Sequence, residues 1–166
     1  VKGLNEYLQA AKIIKKKYTD ITFEVIGNHD QKNSSSVNID ELNYYIKNNI
    51  IKLKKFTTDI TSILTQVDCV VLPSYREGTS RVLLEAGSTG TPSITTDVPG
   101  CNNVIKNGFN GYLCKSTDVK SLVNCIINFY KLSYSEKIIM GKNARINIEN
   151  NFDENIIFKK YIKILK

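Results

Sequence analysis

Cys69-Val70-Val71-Leu72-Pro73-Ser74-Tyr75-Arg76-Glu77-Gly78-Thr79-Ser80-Arg81-Val82-Leu83-Leu84-Glu85-Ala86 decides the fold. Cys69 to Leu72 is a continuous apolar run, the pattern of a strand buried on both faces of a parallel sheet. Pro73 ends it, a polar turn follows, and residues 80–88 read as a helix stopped by Gly90 and Pro92. A strand that turns sharply into a helix offers the N–H groups of residues 79–81 and the positive end of the helix dipole, a phosphate-binding geometry. Gly78 removes a side chain where a diphosphate would approach the backbone. Glu77 lies in the turn and Glu85 in the helix, roughly 10 Å further along. That separation rules out a shared-proton acid pair and suits two carboxylates gripping different hydroxyls of one extended ligand. Arg81 precedes Glu85 by four positions, so a plain ion pair on an empty helix face is the competing reading.

Working outward, Leu4, Leu8, Ala11 and the Ile13/Ile14 pair recur at helical spacing, predicting a helix over residues 3–17. Ile21 to Ile26 reads as a strand closed by Gly27-Asn28-His29-Asp30, and residues 31–38 as a polar loop. Asp40 is expected to cap a helix through Lys47, and Asp59 a short helix containing Ile60, Ile63 and Leu64. Ile50 to Leu53 and Ser93 to Thr95 read as short strands, Asp97-Val98-Pro99-Gly100 as a turn, and Gly111 to Cys114 as a last, edge-like strand. Helices are expected over 118–131, 134–149 and 153–165. The alternation predicts an α/β fold: a Rossmann-like parallel sheet with helices on both faces, in a single domain over residues 1–166. In such a sheet the ligand site lies beyond the carboxyl ends of the strands, here at turns 27–30, 73–80 and 95–103.

Composition narrows the class. The 166 residues are 42% hydrophobic and 23% charged, ordinary for a globular chain. No apolar stretch is long enough to span a bilayer, and no leader pattern precedes the first helix. The chain opens at Val1 directly into a helical pattern, so it is read as a piece of a longer protein. Lys+Arg exceeds Asp+Glu by 23 to 16, but the excess sits on the flanks: residues 1–55 and 116–166 each carry +4, and residues 56–115 carry −1. Only 3 of the 23 basic residues are Arg, and the chain is rich in Asn and Ile, so the charge is read first as genome composition. A basic polyanion-binding domain is the non-enzymatic alternative. It fits poorly with a near-neutral middle third that holds the informative turns, and no nucleic-acid partner is expected. Cys69, Cys101, Cys114 and Cys125 contain no C-x-x-C pair, and the lone His29 cannot complete a zinc set. They are read as reduced thiols of a cytoplasmic protein.

The quoted stretch resembles the signature of the retaining glycosyltransferases of family 4, which have the GT-B fold: strand, Pro-Ser, Glu-Gly, a second Glu eight positions after the first, then Ala. Further segments continue the resemblance in order along nearly the whole chain. Gly90-Thr91-Pro92-Ser93-Ile94 resembles the family's G-x-P strand, and Asp97-Val98-Pro99-Gly100-Cys101 the turn after it. Asn107-Gly108-Phe109-Asn110-Gly111-Tyr112-Leu113 resembles its D-G-x-N-G-x-L segment. Asn143-Ala144-Arg145 and Phe152-Asp153 resemble its C-terminal helices, and Lys2-Gly3 the start of its first helix. The wording Pro-Ser-Tyr-Arg-Glu-Gly is most similar to members that build bacterial capsule, lipopolysaccharide or lipid-linked oligosaccharide.

The resemblance implies the donor-binding, C-terminal half of a GT-B enzyme, with an N-terminal acceptor domain absent and the isolated half inactive. Glu77 would hold hydroxyls of the donor sugar near the reacting carbon, and Glu85 the two ribose hydroxyls. Gly78 and the N–H groups of Thr79, Ser80 and Arg81 would hold the diphosphate, with Lys2 neutralising it. Tyr75 and Arg76 are candidate donor-sugar contacts. Two positions depart from the family pattern: Lys55 stands where Gly is usual, close to the nucleotide, and the Gly-x-Gly after the preceding strand reads Gly27-Asn28-His29. His29 is read as a loop residue near the site. Phe56 is read first as a core contact and second as a platform for a base. The implied reaction is transfer from a nucleotide-diphosphate sugar, with uridine the first expectation for the base, and with no cofactor and no metal, because helix N-termini and cations take over the leaving-group charge. The implied acceptor is a glycan or lipid-linked glycan at the inner face of the cytoplasmic membrane, with peripheral membrane association of the full-length protein. A different GT-B sugar-nucleotide enzyme, such as an epimerase, is the enzymatic alternative.

Overall fold

The computed structural model describes residues 2–27 and 38–164. Helix α1 (Leu4–Lys15) buries Leu8, Ala10, Ala11 and Ile14, the face its spacing predicts. It begins one residue later than predicted because Gly3, at φ +67°, is left-handed and stands outside the helix. Strand β1 (Glu24–Ile26) pairs in parallel with β2 (Lys52–Lys54), with Val25 opposite Leu53. Both strands are shorter than predicted. The N–H groups of Ile50 and Ile51 both turn back to the Tyr45 carbonyl at the end of helix α2 (Ile39–Lys47), so the ladder cannot open before Lys52. The cap of α2 is Asn38 rather than Asp40. The Asn38 side chain accepts the Asp40 N–H at 2.8 Å, which places Asp40 in the first turn. Asp59 caps α3 (Ile60–Leu64) as expected, accepting from Ser62 N–H at 3.2 Å.

Strands β3 (Val70–Leu72), β4 (Ser93–Thr96) and β5 (Gly111–Cys114) form a second parallel sheet in the order β3-β4-β5, leaving β5 on an edge. The strand buried on both faces is β4, not the apolar β3, whose three side chains are half-buried. Two of the hydroxyls on β4 find carbonyls: Thr95 Oγ1 donates to the Leu72 carbonyl at 2.7 Å and Thr96 Oγ1 to that of Ser74, while the buried Ser93 hydroxyl has no hydrogen-bond partner. The strands are thus divided between two ladders rather than continuous in one, yet Val25 of β1, Val71 of β3 and Ile94 of β4 pack on one core.

Helices cover both faces. Helix α1 packs against α5 (Val119–Lys131) over the larger core, which holds Ile14, Phe23, Leu122, Ile126 and Phe129. On the other side α4 (Arg81–Ser88) packs against α6 (Tyr134–Asn151), above a smaller cluster of Leu83, Cys101, Val104 and Ile105. Ser133 and Glu136 form a reciprocal capping box at the start of α6. The last helix is α7 (Glu154–Ile164). The four cysteines are free thiols, three of them buried. Among the described residues no helix is long and apolar enough to cross a membrane.

Candidate functional site

The Pro73–Ser80 turn follows the carboxyl end of β3 and is clamped between two glycines. Gly3 lies against Pro73: a Cβ built on it would stand 2.0 Å from the Pro73 carbonyl oxygen. Gly100, at φ +85°, lies against the other end: a Cβ there would stand 1.7 Å from the Gly78 carbonyl oxygen. Both glycines also have the left-handed backbone that larger residues adopt at a cost. The turn after β4 and the start of α1 therefore press on the 73–80 turn from two sides.

Within this clamp Glu77 is held by two donors. Lys2 Nζ lies 2.5 Å and Ser74 Oγ 2.6 Å from its Oε1. Ser74 is fully buried, and its carbonyl accepts from Thr96, which ties the turn to the end of β4. Partial burial pushes the Glu77 carboxyl upward, but the hydrogen bonds from Lys2 and Ser74 and the charge of Lys2 outweigh it and hold the carboxyl below its ordinary range. Glu77 is thus an anion at neutral pH.

Helix α4 starts at Arg81 with Ser80 as its N-cap residue, and no side chain caps it. One expectation fails here. The Ser80 N–H points inward and donates to the Gly100 carbonyl at 3.1 Å, so it does not face outward with its neighbours. The reason is the Gly100 clamp, which brings that carbonyl onto the turn. Among the described residues no hydrogen bond engages the N–H groups of Thr79 and Arg81. Gly78 and Thr79 are exposed, and a Cβ on Gly78 would meet nothing within 4 Å, so the approach to this helix end is open. Glu85 Oε1 accepts from Arg81 Nε at 2.8 Å, the ion pair that the spacing allowed. The Arg81 side chain is 89% exposed, which leaves it free to exchange partners at little cost.

The remaining candidates divide. Tyr75 is half-buried and its hydroxyl donates to Glu6 Oε1 at 2.5 Å, while Arg76 is exposed. Gly27 N–H donates to the Lys54 carbonyl at 3.0 Å and closes the ends of β1 and β2. Lys55 and Phe56 follow β2 and are exposed. Phe56 is 64% exposed, so it is not a core contact, contrary to the first reading of it. The network that gathers Lys2, Ser74, Glu77, Ser80 and Gly100 does not include Gly27 or Lys55. His29 and residues 31–37 of the polar loop lie outside the described residues. Among the described residues no group of three His, Cys, Asp or Glu side chains is placed to hold a metal ion.

Sequence reading missed Ser74, Thr96 and Glu6. Ser74 belongs to the quoted Pro-Ser pair, three positions before Glu77, but was given no role there. Glu6 meets Tyr75 across 69 positions. The Asn-Gly-x-Asn-Gly segment proves structural. Buried Asn110 accepts the Lys106 N–H at 2.7 Å and donates to the Val104 carbonyl, and Asn107 accepts the Leu113 N–H at 2.9 Å. These bonds build the amino end of β5, at the opposite sheet edge from Glu77.

A family model described as "Glycosyl transferases group 1" matches residues 1–147. The "Capsular polysaccharide biosynthesis glycosyltransferase CapM" of Staphylococcus aureus is 32% identical over 163 residues, covering 96% of this chain and 41% of its own length. The "UDP-Gal:alpha-D-GlcNAc-diphosphoundecaprenol alpha-1,3-galactosyltransferase" of Escherichia coli is 33% identical over 147 residues, covering 87% of this chain and 36% of its own. The chain therefore spans about two fifths of the length of the curated relatives it matches. Among solved structures, Anabaena Alr3699/HepE in complex with UDP superposes with a TM-score of 0.85 at 23% identity, over 99% of this chain and 45% of that one. The C-terminal domain of the group 1 glycosyl transferase LpcC from Francisella tularensis superposes with a TM-score of 0.78 at 24% identity, over 91% of this chain and 80% of that one. The neighbours are Rossmann-like GT-B glycosyltransferases, and at these identities they establish the fold.

Proposed function

The chain belongs to the group 1 glycosyltransferases, and from that premise we propose that it is the donor-binding, C-terminal domain of a retaining enzyme. That enzyme transfers a hexose or N-acetylhexosamine from a nucleotide-diphosphate sugar to a bacterial surface glycan or its lipid-linked precursor. The observation that carries this reading is the placement of Glu77. It is an anion held by Lys2 and Ser74 in a clamped turn, directly before a helix end that no side chain caps. The superposition on a crystallised C-terminal domain and on a UDP complex supports the domain assignment and uridine as the base. The Escherichia coli relative, whose name states a UDP-sugar donor and a diphosphoundecaprenol acceptor, supports the substrate class.

In this reading the charges of the site neutralise one another. The cations Lys2 and Arg81 rest on the carboxylates Glu77 and Glu85. A donor exchanges the partners: its diphosphate takes the cations and the N–H groups of Thr79 and Arg81, while its sugar and ribose hydroxyls take the carboxylates. Gly78 lets the diphosphate reach the backbone. Tyr75 and Arg76 flank the sugar end, and Gly27, Lys55 and Phe56 lie toward the base. The acceptor is held by a further domain, and the complete enzyme works at the inner face of the cytoplasmic membrane in peripheral contact with it.

Calorimetric titration with UDP, GDP and ADP tests the reading, repeated on Glu85→Ala. Selective binding of one nucleotide that the substitution weakens is the expected result. Equal binding of all three, unchanged in the variant, overturns it.

A further inference from the structure

Residues 2–6, which lead into the first turn of α1, touch the 73–77 turn at three points. Gly3 seats on Pro73, Lys2 reaches Glu77, and Glu6 reaches Tyr75. The first two belong to the site already described. The third has no part in it so far. Glu6 Oε1 accepts the Tyr75 hydroxyl at 2.5 Å, and Glu6 Oε2 is buried with no hydrogen-bond partner. A carboxylate oxygen without a donor is costly to bury. For packing alone an apolar side chain would serve better at this position. What a carboxylate adds is the strong, charge-assisted bond to the phenol.

Tyr75 lies inside the short segment that carries the Glu77 network. Ser74 precedes it and donates to Glu77, and Glu77 itself is two residues further on. Its hydroxyl is held in the donating, protonated form: the hydrogen bond to Glu6 first, then burial and the Glu6 charge, push it up to about 12. Glu85 stands apart from this arrangement, on α4 and paired to Arg81.

We infer that Glu6 is a positioning residue for the sugar end of the donor site: through Tyr75 it holds the segment that presents Glu77 and leaves the ribose end at Glu85 untouched. This rests on the reading of Glu77 as the sugar-binding carboxylate. The two ends of the site then respond differently to the same change. Loosening the Glu6–Tyr75 bond disturbs the grip on the sugar and spares the nucleotide.

The test is calorimetric titration of wild type, Tyr75→Phe, Glu6→Ala and Glu6→Gln with UDP and with UDP-glucose, UDP-galactose and UDP-N-acetylglucosamine. The wild type is expected to bind one of the sugars more tightly than UDP. Tyr75→Phe and Glu6→Ala are each expected to weaken that UDP-sugar about tenfold while leaving UDP unchanged. Glu6→Gln keeps an oxygen that accepts from Tyr75 and is expected to stay within about threefold of wild type. The double variant Tyr75→Phe/Glu6→Ala is expected to lose no more than either single one. Parallel loss of UDP and UDP-sugar, or no loss of either, overturns the inference. A wild type that binds no uridine nucleotide overturns the underlying functional reading instead. In that event amide hydrogen exchange still tests the strap: residues 74–78 must exchange faster in Tyr75→Phe and Glu6→Ala than in wild type and Glu6→Gln, and equal rates overturn it.

Discussion

Lys2 and Glu77 are 75 positions apart, yet Lys2 Nζ lies 2.5 Å from Glu77 Oε1. The contact joins the segment that leads into α1 to the turn after β3, two segments that share the carboxyl edge of the sheet. The lowered Glu77 pKa makes the contact visible in stability. A carboxyl whose folded-state value lies below its unfolded value stabilises the fold above the ordinary carboxylate range and loses that contribution as pH falls through it. Lys2→Met is expected to cost under about 1 kcal/mol at pH 7, because the Lys2 side chain is 64% exposed, and nothing near pH 2, where Glu77 is protonated. Urea denaturation at the two pH values checks this, and an equal loss at both contradicts it.

Glu85→Ala separates binding from folding. The Arg81–Glu85 pair is a surface i, i+4 contact, so its removal is expected to change stability by no more than about 0.5 kcal/mol. Two ribose hydroxyls bonded to a carboxylate carry far more, and UDP affinity is expected to fall about tenfold or further. Thermal denaturation and titration on the same preparation give both quantities.

Gly78 and Gly100 face each other and should respond oppositely to Ala. At Gly100 the new Cβ meets the Gly78 carbonyl oxygen and the backbone is left-handed, so Gly100→Ala is expected to destabilise by about 1–3 kcal/mol or more. At Gly78 the Cβ meets nothing, so Gly78→Ala is expected to leave the melting temperature unchanged and weaken UDP binding. A melting temperature lowered equally by both contradicts the clamp.

Asn110 marks the structural part of the family-like motifs. Asn110→Ala removes the acceptor of the Lys106 N–H and leaves a fully buried side-chain position unfilled, and is expected to cost about 1–3 kcal/mol. Because β5 begins at the far edge of the sheet, UDP affinity of the folded variant is expected to match wild type. Chemical denaturation and titration check the two halves.

Local patterns made much of this legible. The apolar spacing of α1 and the turn chemistry around Pro73, Gly90 and Pro92 placed helices and strands close to where they lie, because these signals act within a few residues. Where hydrogen bonding decides an end, the reading slipped: Asn38 displaced Asp40 as a cap, and the Tyr45 carbonyl delayed β2. Phe56 was misread because an aromatic side chain carries no local sign of which face it will occupy.

The sequence by itself determined the parallel α/β class, the strand–turn–helix that holds Glu77 and Glu85, and the family, since each is written in contiguous residues. Only the tertiary structure decided which groups meet there: Lys2 with Glu77, Glu6 with Tyr75, and the Ser80 N–H with the Gly100 carbonyl. The physical reason is that parallel strands bring their carboxyl ends together from distant parts of the chain. The partners of a charged group at that edge are set by how the turns pack, and no spacing along the chain encodes it.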